Sequence, residues 1–328
     1  DLQLHHPWGI TVDEAIALAK RCEAAALAVD KRISNSEGAS VSTGEGYFAY
    51  SNSHGFTGGY PSSRHGISCS VIAEADDSMQ RDYWYSTARA ANDLQAVEEI
   101  GRIAGERTLR RLHSRKISTC QVPVLFEAPL ASGLIGTLIS AISGGSLYRK
   151  SSFLLDSLGQ QIASPLLNIV EDPHLLKGLA SSPFDSEGVV TQPRQLVKDG
   201  VLQGYVLSSY SARKLGMTST GNAGGNHNLL VQSGSHDFAG MLQQMGTGLL
   251  VTELLGSGVN PVTGDYSRGA AGFWVENGVI VHAVEEITIA SNMLDMLKGI
   301  VGIGSDVLVQ NSKQVGSILI ERMTVACE

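Results

Sequence analysis

The hydrophobic period of this chain changes from helical to extended and back within residues 1–115, and that succession limits the fold more than any other feature. From about Val12 to Asp30 the apolar positions Ile16, Ala17, Ala24, Ala25 and Leu27 form a helical stripe. Thr11 and Glu14 make a T-x-x-E capping box at its start. From Ser34 to about Ala88 apolar, aromatic and small polar residues alternate, as in Tyr47-Phe48-Ala49-Tyr50, His65 to Ala73 and Tyr83-Trp84-Tyr85. These segments predict antiparallel strands with glycine turns. A second helix is predicted from about Gln95 to His113, with Val97, Ile100, Ile103, Ala104 and Leu112 near one face. Arg110, Arg111, His113 and Arg115 suit the negative end of its dipole.

The 328 residues are too many for one ordinary domain, and the pattern divides them into an N-terminal α+β unit, 1–115, and a β-rich unit, 116–328. The second opens with a strand-like run, Gln121 to Phe126, followed by Leu130 to Ile142, long enough for a helix. Hairpins dominate from there: Asp199-Gly200 and Asn277-Gly278 each stand between aliphatic runs, the strongest short-range signal for a two-residue turn. The predicted class is therefore α+β, antiparallel strands with flanking helices, then a hairpin-rich domain with a few helices. Glycine, at 37 residues against 9 prolines, fits many tight turns and bulges.

A formal charge of −8, from 24 basic and 32 acidic side chains, repels phosphate backbones and anionic membrane surfaces, so neither nucleic acid nor membrane is an expected partner. Cys22, Cys69, Cys120 and Cys327 form no C-x-x-C pair and follow no secretory segment. Reduced, packed thiols in a cytoplasmic protein are expected. The start at Asp1, without methionine and inside a polar run, predicts a fragment with an N-terminal part preceding it.

The usual catalytic motifs are absent. No H-E-x-x-H offers two imidazoles and a base to a zinc ion. His54, His65 and Cys69 come nearest to a ligand set. On a strand, however, His65 and Cys69 share a face about 13 Å apart, at about 3.3 Å per residue, which is too far for one metal. Ser211-Ala212-Arg213-Lys214 matches S-x-x-K, a pattern that a serine-rich chain yields by chance and that the polar face of a short helix also explains. Glu98-Glu99 and Glu285-Glu286 are adjacent, so their members point apart. Gly246-Thr247-Gly248 lacks the third glycine of a dinucleotide fingerprint and runs into strand-like Leu249 to Val251, so no nucleotide cofactor is expected. What remains are polar, glycine-rich stretches at 144–152, 218–225 and 263–269. They suit either plain turns or loops where backbone approaches a ligand.

At these stretches the chain resembles the PmbA/TldD family of bacterial peptidase subunits, and within it the PmbA (TldE) branch. The match runs through Gly144 to Gly159, His174 to Gly188, Ser209 to Gly216 and Gly264 to Gly278. Before residue 115 it rests on Asn52-Ser53-His54-Gly55 and Arg64-His65. The resemblance implies a two-subunit cytoplasmic metallopeptidase. In it a TldD-like subunit holds zinc through an H-E-x-x-x-H helix and a later cysteine, and the complex cleaves unfolded or small peptides, including a microcin precursor and a plasmid antitoxin. With Arg149-Lys150 as anchor, the first histidine of that helix falls on Gly136, the glutamate on Thr137 and the second histidine on Ala141. The cysteine-bearing insertion is missing between Gly304-Ser305-Asp306 and Ser317 to Ile320.

The expectation is a non-catalytic, non-metal-binding subunit with no cofactor of its own and zinc on a TldD-like partner. Extended peptides would add to a sheet edge. Arg149, Arg213, Asn222, Asp265 and Arg268 are candidates for the substrate or the subunit contact. The alternative is a stand-alone peptide-binding or chaperone-like homodimer. A hydrolase using Ser211 and Lys214 is the third reading.

Overall fold

The computed structural model describes residues 1–327. They separate into two compact units: Asp1–Ser51, Thr57–Ser114 and Leu176–Leu179 make the first, and Asn52–Phe56, Arg115–Leu175 and the chain from Ala180 onward make the second. Two short segments thus depart from a contiguous division. One is explained by Arg89, whose guanidinium donates to the carbonyls of Gly178 (3.3 Å) and Leu179 (2.9 Å) and so ties a distant stretch of chain into the first unit.

The first unit holds α1 (Val12–Leu27), β1 (Ile33–Ser51), β2 (Thr57–Ala75), β3 (Ser78–Ala88) and α2 (Val97–Arg110). Thr11 and Glu14 form both halves of the capping box, with Glu14 Oε2 accepting from the Thr11 amide at 2.8 Å. The strands form an antiparallel sheet in the order β1-β2-β3. Period-two burial is clearest on β2, where His65, Ile67, Cys69, Val71 and Ala73 point inward, and on β3, where Asp82, Trp84, Ser86 and Ala88 do. Both helices pack on the sheet. They also meet each other closely, because Gly101 and Gly105 of α2 carry no side chain: a Cβ on Gly101 would lie 2.1 Å from the Cys22 carbonyl oxygen.

The second unit runs through β4 (Cys120–Phe126), α3 (Ala128–Ala141), α4 (Gly144–Tyr148), β5 (Ile169–Asp172), β6 (Arg194–Lys198) and β7 (Val201–Leu202). It continues with α5 (Ser209–Lys214), β8 (Asn228–Val231), α6 (Phe238–Met245), β9 (Gly248–Leu255), β10 (Asp265–Glu276) and β11 (Val279–Asn292). α7 (Met293–Lys298), β12 (Ile300–Ile303), β13 (Lys313–Gln314) and β14 (Ile318–Cys327) complete it. One sheet has the order β11-β10-β9-β4-β14-β12, and a further β11–β14 pairing closes five of its strands into a ring. A second sheet has the order β13-β8-β5-β6-β7. Both predicted hairpin turns are present. Asp199 and Gly200 have φ of 49° and 75°, Asn277 and Gly278 50° and 76°, the two successive positive values of a type I′ turn.

Packing explains why α3 is so apolar. Its Leu134, Ile135 and Leu138 share one core with Ile169, Leu196 and Leu229 of the second sheet and Val251, Ile289 and Ile320 of the closed one. The opposite face of β4, β9 and β10 is covered by Met241, Leu242 and Met245 of α6. The architecture is α+β with antiparallel sheets and flanking helices, as the periodicity predicts; the parallel pairings β4–β9 and β8–β13 are additions that no local pattern announces. Among the described residues no helix is long and apolar enough to cross a membrane.

Candidate functional site: a cavity along the third helix

Helix α3 starts at Ala128 with Pro129 in its first turn, where the missing amide proton costs nothing. One face is apolar and buried. On its other side Gly133, Gly136, Thr137, Ser140 and Ala141 border a cavity of about 600 Å³. Ser143, Ser146, Ser151 and Asn226 add polar groups to the wall, Ile139, Phe153, Val206, Val259 and Pro261 add apolar ones, and Lys313 supplies a charge. The positions that the family resemblance equates with the two histidines, Gly136 and Ala141, and with the glutamate, Thr137, therefore all line one cavity.

The hydroxyl protons around this space are already committed. Thr137 donates to the Gly133 carbonyl (3.1 Å), Ser140 to that of Gly136 (3.0 Å) and Ser143 to that of Ser140 (2.9 Å). Ser143 and Ser146 are 3.3 Å apart, so Ser146 supplies the proton between them, and Ser151 reaches the Ser146 carbonyl at 3.4 Å. Lys313, anchored on β13, extends over α3. A methyl group built on Gly136 would sit 3.4 Å from its Cε and 4.0 Å from its Nζ.

Zinc requires neutral imidazoles, thiolates or carboxylates. A hydrogen, a helix-bonded hydroxyl and a methyl stand at 136, 137 and 141, with an ammonium group beside them, so the residues present do not fit the metal. Among the described residues no group of three or more His, Cys, Asp or Glu is placed to hold a metal ion. His65 shows why a histidine alone means little. Its Nδ1 lies 2.9 Å from Thr43 Oγ1 and its Nε2 2.8 Å from the His6 carbonyl, a satisfied imidazole on the buried face it shares with Cys69.

The five loop candidates do not converge on the cavity. Arg149 lies over the Tyr148 ring, 5.5 Å from its centroid, and Tyr148 meets Tyr210 of α5 edge-on at 5.8 Å. Arg213 is exposed on the same short helix. Asn222 is buried and structural: it donates to Glu171 (2.7 Å) and accepts from Arg194 (2.9 Å) and Thr220 (2.7 Å). Asp265 accepts from Thr263 Oγ1 at 2.6 Å, and Arg268 donates to the Gly256 carbonyl. Ser211 is held in a capping box with Ser208, while Lys214 lies over the Tyr210 ring at 5.6 Å. Ser146 and Ser151 were legible in the polar, glycine-rich stretch 144–152, whereas Ser140 and Ser143 lie before it. Lys313 gave no signal, because nothing local marks a lysine that will face a helix more than 170 positions away.

A three-stranded sheet under two helices, followed by a closed sheet beside a small-residue helix, is the domain pair of a metallopeptidase family. Residues 5–112 match the PmbA/TldA metallopeptidase central domain and residues 119–327 the PmbA/TldA metallopeptidase C-terminal domain. The chain belongs to the PmbA/TldD family. The metalloprotease PmbA of Escherichia coli O157:H7 is 55% identical over 326 residues, covering 99% of this chain and 72% of that relative. A crystal structure of a protein from Bacteroides thetaiotaomicron matches with a TM-score of 0.95 at 31% identity, over 100% of this chain and 75% of that one. TldE of Thermococcus kodakarensis shares the fold, with a TM-score of 0.86 at 22% identity, over 97% of this chain and 75% of that one.

Proposed function

We propose that this chain is the metal-free subunit of a cytoplasmic two-subunit zinc peptidase, paired with a TldD-like homologue that carries the metal. The observation that carries the reading is the cavity wall itself. The family scaffold is intact, and the positions equated with the two histidines present only Gly136 and Ala141, with Thr137 in place of the glutamate. Loss of every donor abolishes a zinc site instead of weakening it.

Peptides that are unfolded or small are the substrates this reading assigns to the complex, with maturation of a peptide-antibiotic precursor and antitoxin degradation as its biological forms. β1 supports a binding mode. It is an outer strand of its sheet, largely exposed along its 19 residues. An extended peptide pairing there would gain main-chain hydrogen bonds with little sequence preference, and a folded protein has no free strand to offer.

The test is reconstitution. The chain alone, the TldD-like homologue alone and the mixture are assayed on an unfolded polypeptide, with zinc measured in each. Activity and zinc are expected with the homologue present and full activity only in the mixture. Stoichiometric zinc and peptide hydrolysis by this chain alone would overturn the proposal, and recovery of nothing but its homodimer from cells that make both would favour a stand-alone binding module.

A further inference from the structure

The cavity beside α3 presents a positive charge with no counter-charge. Its lining contains no Asp or Glu, and the Lys313 ammonium has no hydrogen-bond or ion-pair partner among the described residues. The surrounding hydroxyls have spent their protons within the protein, so their oxygens face the space as acceptors and Lys313 is its charged donor. We infer that this cavity binds the C-terminal carboxylate of a short peptide, with Lys313 as the residue that pairs with it.

The chemistry of the wall selects that ligand. A single cation matches a monoanion, whereas the second charge of a phosphate would be turned toward hydroxyl lone pairs with nothing to balance it. Serine oxygens at 140, 143 and 146 suit peptide N–H donors, and Ile139, Phe153 and Val206 offer an apolar seat for the terminal side chain. The volume of about 600 Å³ falls in the range of small-ligand sites, about 300–1,000 Å³. Lys313 occupies the room that a side chain longer than a methyl group at 136 would need, which keeps its ammonium beside the helix. The inference shares with the proposed function the assumption that peptides are the ligands.

Isothermal titration of the purified chain with acetyl-trialanine and with its C-terminal amide tests it. Saturable binding of the acid is expected, with the amide weaker by at least about tenfold, since a hydrogen bond to a charged group is lost. Lys313→Met should bring the acid down to the level of the amide, and Lys313→Arg should keep most of the binding. Gly136→Leu, which fills the cavity from the helix side, should abolish it, with circular dichroism confirming the fold of each variant. Equal binding of acid and amide, acid binding that ignores Lys313→Met, or inorganic phosphate that binds through Lys313 and excludes the peptide would overturn the assignment. No partner or zinc is present in this titration. Its failure leaves the subunit reading standing, and failure of the reconstitution leaves the carboxylate site standing.

Discussion

Lys313 lies across Gly136, with its Cε 3.4 Å and its Nζ 4.0 Å from where a Cβ on that glycine would be. These are ordinary van der Waals separations, so one methyl group fits beneath the lysine and anything longer must push it aside. Position 136 therefore controls both the helix and the cavity's charge, and the two effects can be separated by size.

Glycine inside a helix costs about 1 kcal/mol relative to alanine, because more backbone freedom is lost on folding. Gly133 would meet nothing within 4 Å and Gly136 only the flexible end of Lys313. Gly133→Ala and Gly136→Ala are expected to raise the unfolding free energy by about 0.5–1 kcal/mol each. Urea denaturation measures this; a loss of stability at Gly133 would show that the helix face is covered there.

Gly101→Ala should act in the opposite direction. Its Cβ would fall 2.1 Å from the Cys22 carbonyl oxygen and 3.0 Å from the Ala26 amide nitrogen, both rigid backbone of α1. The helices must separate, at a cost of about 1–3 kcal/mol. Cys22 and Cys69, buried between α1 and β2, report the separation. The hydrogen bond that its S–H donates to Cys69, together with burial, pushes the Cys22 thiol up, so it is inert in the intact unit. Thiol labelling without denaturant should be much faster in Gly101→Ala than in the parent chain; an unchanged rate and midpoint would refute the contact.

What the sequence made legible was local. The capping box at Thr11 and Glu14, the type I′ turns at Asp199-Gly200 and Asn277-Gly278 and the alternation of β2 depend on residues a few positions apart, and each is present. The ring closure of β11 on β14 and the Gly101 contact join distant segments and leave no periodic trace. The cavity is an intermediate case. The resemblance placed Gly136, Thr137 and Ala141 in one region, but Lys313 comes from another sheet, and polar side chains such as Asn222 read alike in a site and in a buried network.

That network predicts a large effect. Glu171, 1% exposed, accepts from Arg194 Nε at 2.7 Å, from Asn222 and from the His227 amide at 2.8 Å, and Arg194 also donates to the Tyr205 carbonyl at 2.7 Å. Removing the cation leaves a buried carboxylate without its charge partner, worth about 3–5 kcal/mol. Arg194→Met should lower stability by that amount, and Glu171→Gln by less, since an amide oxygen still accepts from Asn222 and His227. Chemical denaturation of both variants decides the order; a near-neutral Arg194→Met would mean that water reaches Glu171.

Tyr266 carries the last prediction. Its hydroxyl is buried with no hydrogen-bond partner among the described residues, and burial pushes the phenol from 10.0 up to about 12, against the pull of the Arg268 guanidinium. Below pH 10 the proton is held in both folded and unfolded chains, and this contribution to stability is intact. Between about pH 10 and 12 the unfolded chain releases the proton while the folded one keeps it, so stability falls by up to about 2–3 kcal/mol. Tyr266→Phe removes that decline. At neutral pH it should be neutral or stabilising by about 1 kcal/mol, because an unpaired buried hydroxyl is deleted without losing a bond. Melting temperatures of the two chains from pH 7 to 11 should therefore diverge only on the alkaline side, with the variant falling less. Parallel curves would mean that the phenol titrates alike in both states and is not sealed from water.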